Sequence, residues 1–197
     1  VKQDFETNVP GLYIAGELGG MGLIKNSVEQ GRQAVNNIVK SGLRAKGPEH
    51  DLVIIGAGPA GISATLEAKR QGLKAITLEQ DTLGGAVFSF PRSKIVMTSP
   101  MDLPLHGKVK LVETKKSELL DLWEKVLNAN NLSIKENCKV EAITKEGENF
   151  KISLSNGTGY LGRTVLLAIG RRGSPRKLNV PGETLEKVAY RLLEPEN

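Results

Sequence analysis

The sequence has a single cysteine, two histidines and few aromatic side chains, and each scarcity removes a class of function. With Cys138 alone, neither an internal disulfide nor a Cys-x-x-Cys redox pair can form within the chain. Cys138 lies in LSIKENCKVEAI, which alternates like a half-exposed strand. No histidine or basic cluster stands beside it to stabilise a thiolate, so it reads as a structural residue. His50 and His106 fall in a linker and a loop without metal-ligand spacing, so both are expected to be exposed and no metal site is expected. Aromatic residues make up 4% of the chain, and the basic residues are scattered apart from Arg171-Arg172 and Arg176-Lys177. A nucleic-acid platform needs a clustered basic face with stacking rings, so nucleic acid is not an expected partner. No apolar run approaches the roughly 18–20 residues of a membrane span, and no signal peptide is visible. No membrane partner is expected, and the cytoplasm is the default location.

What is present fits one substantial domain, or a domain plus a small appendage, in 197 residues. The net charge of +5 suits a pyrophosphate ligand without diagnosing one. The chain starts at Val1 rather than Met, which points to a processed or excised piece of something longer. GLYIA (11–15) reads as a short buried strand. Apolar residues at Leu23, Ile24, Val28, Ala34, Val35, Ile38 and Val39 then take helical spacing, which Gly42 closes. Gly31 inside this helix suggests close packing on a sheet or a cofactor. A polar connector with Gly47-Pro48 follows. Residues 51–80 then read as strand (Leu52–Ile55), loop, helix (Ile62–Arg70), Gly72 and strand (Lys74–Leu78). This is a βαβ unit, hence a right-handed parallel crossover. Residues 83–113 read as irregular, Gly- and Pro-rich cover. KSELLDLWEKVLNANN is an amphipathic helix with Trp123 in its core face. Two or three strands are expected around LSIK, CKVEAITKEG and NFKISLSN, where Asn156-Gly157 marks a tight turn, and GRTVLLAIGRRGSP supplies one more. The last residues, LEKVAYRLLEPEN, read as a polar, unfinished tail.

Gly56-Ala57-Gly58-Pro59-Ala60-Gly61 matches G-x-G-x-x-G, a weak signal by itself. Here a hydrophobic strand precedes it, a helix follows, and Glu79 ends the next strand 18 residues after Gly61. Gly56 permits the tight turn, Gly58 lets backbone approach a pyrophosphate, and Gly61 lets helix and strand pack closely. The helix start adds free N–H groups and a partial positive charge. Glu79 is placed to accept hydrogen bonds from adenosine ribose hydroxyls, and its carboxylate repels a 2′-phosphate. FAD or NAD is therefore favoured over NADP at this loop, which does not itself separate the two.

Three stretches carry a family resemblance. DLVIIGAGPAGISATLEAKRQGLKAITLEQ resembles the opening of the FAD domain in the thioredoxin reductase-like pyridine nucleotide–disulfide oxidoreductase superfamily. RTVLLAIGRRGSPRKLNVPGE (163–183) resembles the Ala-Thr-Gly strand that leaves that domain, with Ile169 in place of threonine. VPGLYIAGELGGMGLIKNSVEQGRQAV is similar to its closing flavin segment, with Glu17 where Asp is commoner. SFPRSKIVMTSPMDLP is nearer to the bacillithiol-disulfide-reductase-like branch. The resemblance implies an α/β, Rossmann-like, three-layer FAD/NAD(P)-binding domain with a parallel central sheet and a small antiparallel β-meander. It implies FAD as cofactor, and NAD(P)H as an electron donor bound elsewhere, on a nicotinamide-binding domain or partner protein. Pyrophosphate would be bound by Gly56, Gly58, Pro59, Ala60 and Gly61, and adenosine by Glu79. Gly16 and Glu17 would meet the ribityl–phosphate part, and backbone N–H groups of Ile24 and Lys25 the flavin O2 edge. By resemblance alone, Pro91, Lys94 and Met97 line the isoalloxazine. Ala60 stands where that branch carries a cysteine, and no second G-x-G-x-x-G follows, so disulfide reduction and self-contained NAD(P)H oxidation are unsupported.

The closing segment precedes the loop it normally follows. The division expected is a strand-plus-helix closing segment (1–40), a linker (41–49), the FAD-binding unit (50–183) and a tail (184–197) toward a missing second domain. In a right-handed parallel sheet the first helix returns to the amino edge, where Leu52 begins. The nine-residue linker reaches up to roughly 30 Å, enough to join them. One permuted domain and two consecutive modules of a tandem parent both fit. So do three functions: a flavin-dependent oxidoreductase, a non-catalytic NAD or adenine-dinucleotide sensor, and a flavin monooxygenase-like fragment. RRGSPRK either steers phosphates or a partner domain, or is a solvated loop.

Overall fold

A computed structural model describes residues 1–20, 22–91, 94–171 and 176–190. Arg172 of the RRGSPRK segment and residues 191–197 of the tail lie outside them. The elements run β1 (Leu12–Ile14), α1 (Ile24–Lys40), β2 (His50–Ile55), α2 (Pro59–Arg70) and β3 (Ala75–Leu78). Four short strands follow: β4 (Ile95–Met97), β5 (Met101–Leu103), β6 (Gly107–Val109) and β7 (Glu113–Lys115). The chain then forms α3 (Lys116–Ala129), β8 (Val140–Glu146), β9 (Asn149–Leu154) and β10 (Gly159–Leu167).

The central sheet runs β3-β2-β10-β9-β8, with β1 also on β10. β1, β10, β2 and β3 are parallel, and β8, β9 and the start of β10 form an antiparallel meander. β10 serves both parts. Gly159–Gly162 pair with β9, and Val165–Leu167 then pair with Leu12–Ile14. β1 thus takes up the edge that β9 leaves. The register explains the uninterrupted apolar run of β2, because successive side chains face opposite, equally buried sides. Leu52 and Ile54 pack with Leu166, Tyr13 and the helical residues Ala34, Val35, Ile38, Ala64 and Ala68. Val53 and Ile55 pack with Val165 and the meander's Phe150, Ile152 and Leu154. The result is a three-layer α/β domain with a mostly parallel central sheet and an antiparallel meander, as expected. A third cluster puts Ile62 and Leu66 of α2 against Leu119, Trp123, Val126 and Leu127 of α3. Trp123 is fully buried there, as expected.

Several local expectations need correction. Residues 83–113 are not all irregular: β4–β7 and β5–β6 form two antiparallel ribbons whose inward residues Val96, Met101, Leu103 and Val109 cover the third cluster. Of the two or three strands expected between α3 and β10, two form, β8 and β9, while LSIK makes only an isolated parallel bridge, Lys135 beside Leu78. Gly31 packs on a helix rather than on a sheet. A Cβ there would lie 2.1 Å from the Ala60 carbonyl oxygen, so it marks the backbone crossing of α1 over α2. His50 is not an exposed linker residue. Pairing with Gly162 extends β2 back to it, and its half-buried ring stands edge-on to Tyr160 at 6.0 Å. Burial holds its imidazole below the ordinary pKa, with the Lys74 charge adding to the effect. Cys138 lies in no named strand.

The connector between α1 and β2 is tied down by Asp51. Its buried carboxylate accepts the N–H groups of Ala45 and Lys74, each at 2.8 Å, and faces the Arg44 guanidinium at 3.4 Å. Arg44 also donates to the carbonyls of Gln71 and Gly72, and Lys74 Nζ to that of Pro48. One carboxylate therefore joins the connector to the starts of two strands. Burial alone would raise the Asp51 pKa, but the two N–H donors and Arg44 outweigh it and hold it below the usual carboxylate value. Among the described residues, no helix is long and apolar enough to cross a membrane.

Two stability outcomes are expected. Gly31→Ala forces apart α1 and α2 and lowers unfolding free energy by about 3 kcal/mol, as overpacking does, read by urea denaturation. Asp51→Ala strands two N–H donors and costs about 2–4 kcal/mol in the same measurement. Because the folded pKa of Asp51 is depressed, its contribution is complete above the unfolded carboxylate value of about 3.9 and is lost as pH falls through the lower folded one. The stability difference between wild type and Asp51→Asn therefore shrinks as the solution is acidified through that window.

Candidate functional site

A cavity of about 480 Å³ opens across the carboxyl ends of β1, β2, β3 and β10, within the usual size range of small-molecule sites. That edge is where parallel α/β sheets bind ligands, because helix starts and strand-end loops converge there. Gly16, Glu17, Ile24, Gly56, Gly58, Pro59, Ala60 and Glu79 all line it. Gly61 and Lys25 do not. Gly61 sits behind the wall, where a Cβ would meet the Gly56 carbonyl oxygen at 1.8 Å, so its part is packing of loop against helix. The Lys25 side chain is exposed, one residue beyond the Ile24 wall.

The glycine loop is built from its backbone outward. Gly56 takes φ +104° where its N–H reaches back to the Leu78 carbonyl at 2.8 Å, and a Cβ there would press on the Ala168 carbonyl. Gly58 is the N-cap of α2, followed by Pro59 in the first turn, with no side chain capping that end. The first-turn N–H groups of Ala60 and Gly61 thus lack intrahelical acceptors. A Cβ at Gly58 would meet nothing within 4 Å, so open space lies directly against this loop. Among the described lining residues Arg171 is the one cation. Backbone dipoles, rather than a cluster of lysines, give this wall its positive character.

Glu79 closes the loop from the side. It is only 6% exposed, and its carboxylate accepts the Ala57 N–H at 2.7 Å and the Asp81 N–H at 3.0 Å. A carboxylate has about four acceptor positions, so two remain for a ligand hydroxyl pair. Opposite, β1 delivers Gly16 into contact with the loop: a Cβ on Gly16 would lie 2.9 Å from Cβ of Ala60. Glu17 follows in a short 3-10 turn over Glu17–Gly19. α1 then opens at Ile24 with no side-chain cap, which leaves its own first N–H groups facing outward from the helix end.

Other walls were not legible in the motifs. The Gly84–Phe90 stretch folds against the loop, with the Gly84 N–H on the Ala57 carbonyl at 2.9 Å, and contributes Gly85, Val87, Ser89 and Phe90. The double glycine was its one sequence signal. Ser27, 7% exposed on the inward face of α1, and Cys138, whose N–H donates to the Glu79 carbonyl at 2.8 Å, also line the cavity. Pro91, Lys94 and Met97 are not among the lining residues. Met97 is 72% exposed on β4, and Lys94 instead sets its ammonium 4.0 Å from the Phe90 ring centre. Among the described residues no His, Cys, Asp or Glu cluster is suited to a metal ion.

Known proteins resemble this chain in sequence and in fold. A ferredoxin–NADP reductase of Picrophilus torridus is 36% identical over 137 residues, covering 68% of this chain and 39% of its own length. A thioredoxin reductase of Ureaplasma parvum is 36% identical over 135 residues, with 68% and 38% covered. The chain thus spans about two fifths of the length of these curated relatives. The structure of a bacillithiol disulfide reductase from Bacillus cereus superposes with a TM-score of 0.60 at 23% identity, over 73% of this chain and 47% of that one, which establishes the fold. Residues 53–196 match the family model described as pyridine nucleotide-disulphide oxidoreductase. The chain belongs to the pyridine nucleotide-disulphide oxidoreductase family.

Proposed function

We propose that this chain is the FAD-binding unit of a flavin-dependent, NAD(P)H-linked oxidoreductase, similar to thioredoxin reductase but without a redox cysteine pair. The observation that carries the reading is one cavity shared by the Gly16-Glu17 turn, the Gly56–Ala60 loop and Glu79. Free N–H groups at the start of α2, beside the open space at Gly58, suit a pyrophosphate. Glu79 keeps acceptor capacity for a ribose diol while it pins Ala57. Glu17 and the start of α1 face the other end, with N–H groups available to an oxygen that gains negative charge. Bound FAD supplies a two-electron carrier that accepts hydride from a nicotinamide. Residues 1–40 act as the closing segment, 41–49 as connector, 50–183 as the FAD-binding unit, and 184–197 as the lead toward a nicotinamide-binding domain or partner protein. A cytoplasmic location suits such an enzyme.

Titration of the purified chain with FAD should perturb the flavin absorption bands with one-site saturation. Clear NAD binding without FAD binding would replace the reading, and equal affinities for ADP-ribose, NAD and FAD would support an adenylate sensor. Glu79→Ala should weaken FAD and ADP-ribose alike by roughly tenfold to a hundredfold, the value of hydrogen bonds to a charged group. Glu17→Ala should weaken FAD by about tenfold and leave ADP-ribose within twofold, as measured by calorimetry.

A further inference from the structure

The turn after β1 contains a donor that the sheet does not satisfy. The ladder between β1 and β10 ends at Ala15, whose N–H donates to the Leu167 carbonyl at 3.0 Å. Gly16 is buried with φ +83° and ψ −152°, a conformation nearly restricted to glycine. Its N–H donates instead to Oε1 of Gln30 at 2.8 Å, across 14 residues of chain. Gln30 lies in the second turn of α1, and a Cβ on Gly19 would lie 3.7 Å from the same oxygen, so the amide sits beneath the whole Gly16–Gly19 turn. The other bonds of this turn are internal: Gly19 and Gly20 donate to the carbonyls of Gly16 and Glu17 at 2.8 and 3.0 Å. They close the turn on itself without orienting it against the helix.

The geometry points to Gln30 as a positioning residue that fixes the Gly16-Glu17 turn at the cavity wall, and so sets affinity for the flavin half of the dinucleotide. The ligand part rests on the FAD reading above; the turn part does not. In that reading the adenosine half is served by other groups, the Gly56–Ala60 loop and Glu79, whose hydrogen bond to Ala57 does not involve Gln30. A backbone N–H held by one side-chain oxygen loses its acceptor when that side chain becomes apolar. Gln30→Leu removes the acceptor at similar size, whereas Gln30→Glu keeps an oxygen in its place.

Two measurements on the full chain test this. In amide hydrogen exchange without ligand, Gln30→Leu should accelerate exchange at Gly16 by about tenfold or more while Gly56–Gly61 stay at wild-type rates, and Gln30→Glu should restore protection. In calorimetry, Gln30→Leu should weaken FAD by roughly tenfold and leave ADP-ribose within twofold, with Gln30→Glu close to wild type. Unchanged exchange at Gly16, unchanged FAD affinity, or equal loss of FAD and ADP-ribose would each overturn the assignment. A wild-type chain that binds no FAD sinks the flavin reading, while the exchange data still decide the role of Gln30 in the turn.

Discussion

Ala60 is approached by backbone from two directions, and the site depends on that crowding. Gly31 of α1 brings its Cα against the Ala60 carbonyl, and Gly16 at the end of β1 lies against the Ala60 methyl group. Neither glycine has room for a side chain at these distances. The first contact sets how closely α1 crosses α2, and the second sets how closely the turn after β1 meets the glycine loop. Close packing therefore turns two segments far apart in sequence into adjacent walls of one cavity. A methyl group on either glycine would push those walls apart before it touched any ligand.

The order of the chain poses a connection problem that Asp51 solves. β1 and β2 are parallel, so α1 must carry the chain back before β2 begins. The connector is polar and rich in turn residues, with little apolar surface to dock. A buried carboxylate replaces that missing packing by collecting N–H donors from the connector and from the start of β3. β10 completes the arrangement. It runs from the meander into the parallel sheet, and the vacated edge accepts Leu12–Ile14.

The cavity wall is polarised by backbone more than by side chains. Carboxylates of Glu17, Glu79 and Asp81 lie among the lining groups, with Arg171 as the described cation. The proposed function places the ligand's negative charge at the start of α2 and its hydroxyls at Glu79, an arrangement such a wall can accept. Glu79 has a double part, since the oxygen that pins the Ala57 N–H also keeps the loop in shape. In the proposed FAD site, loop geometry and ligand recognition would be coupled through this one carboxylate.

Much of this was open to reading in one dimension. Strand-forming residues at 52–55, the glycine spacing at 56–61 and the carboxylate at 79 lie within one local βαβ unit, where steric rules and short-range order suffice. The same local logic located α1, α3 and the Asn156-Gly157 turn. It did not reveal that Gly31 serves a helix crossing, that Gly84–Phe90 walls the cavity, or that Gln30 holds Gly16 in place. Pro91, Lys94 and Met97 came from the family resemblance rather than from this local logic, and they are not among the residues that line the cavity. Those facts depend on which surfaces meet after the chain has closed on itself. Periodicity and spacing report a residue's near neighbours along the chain, whereas contacts across 14 or more residues exist only once the packed layers choose them.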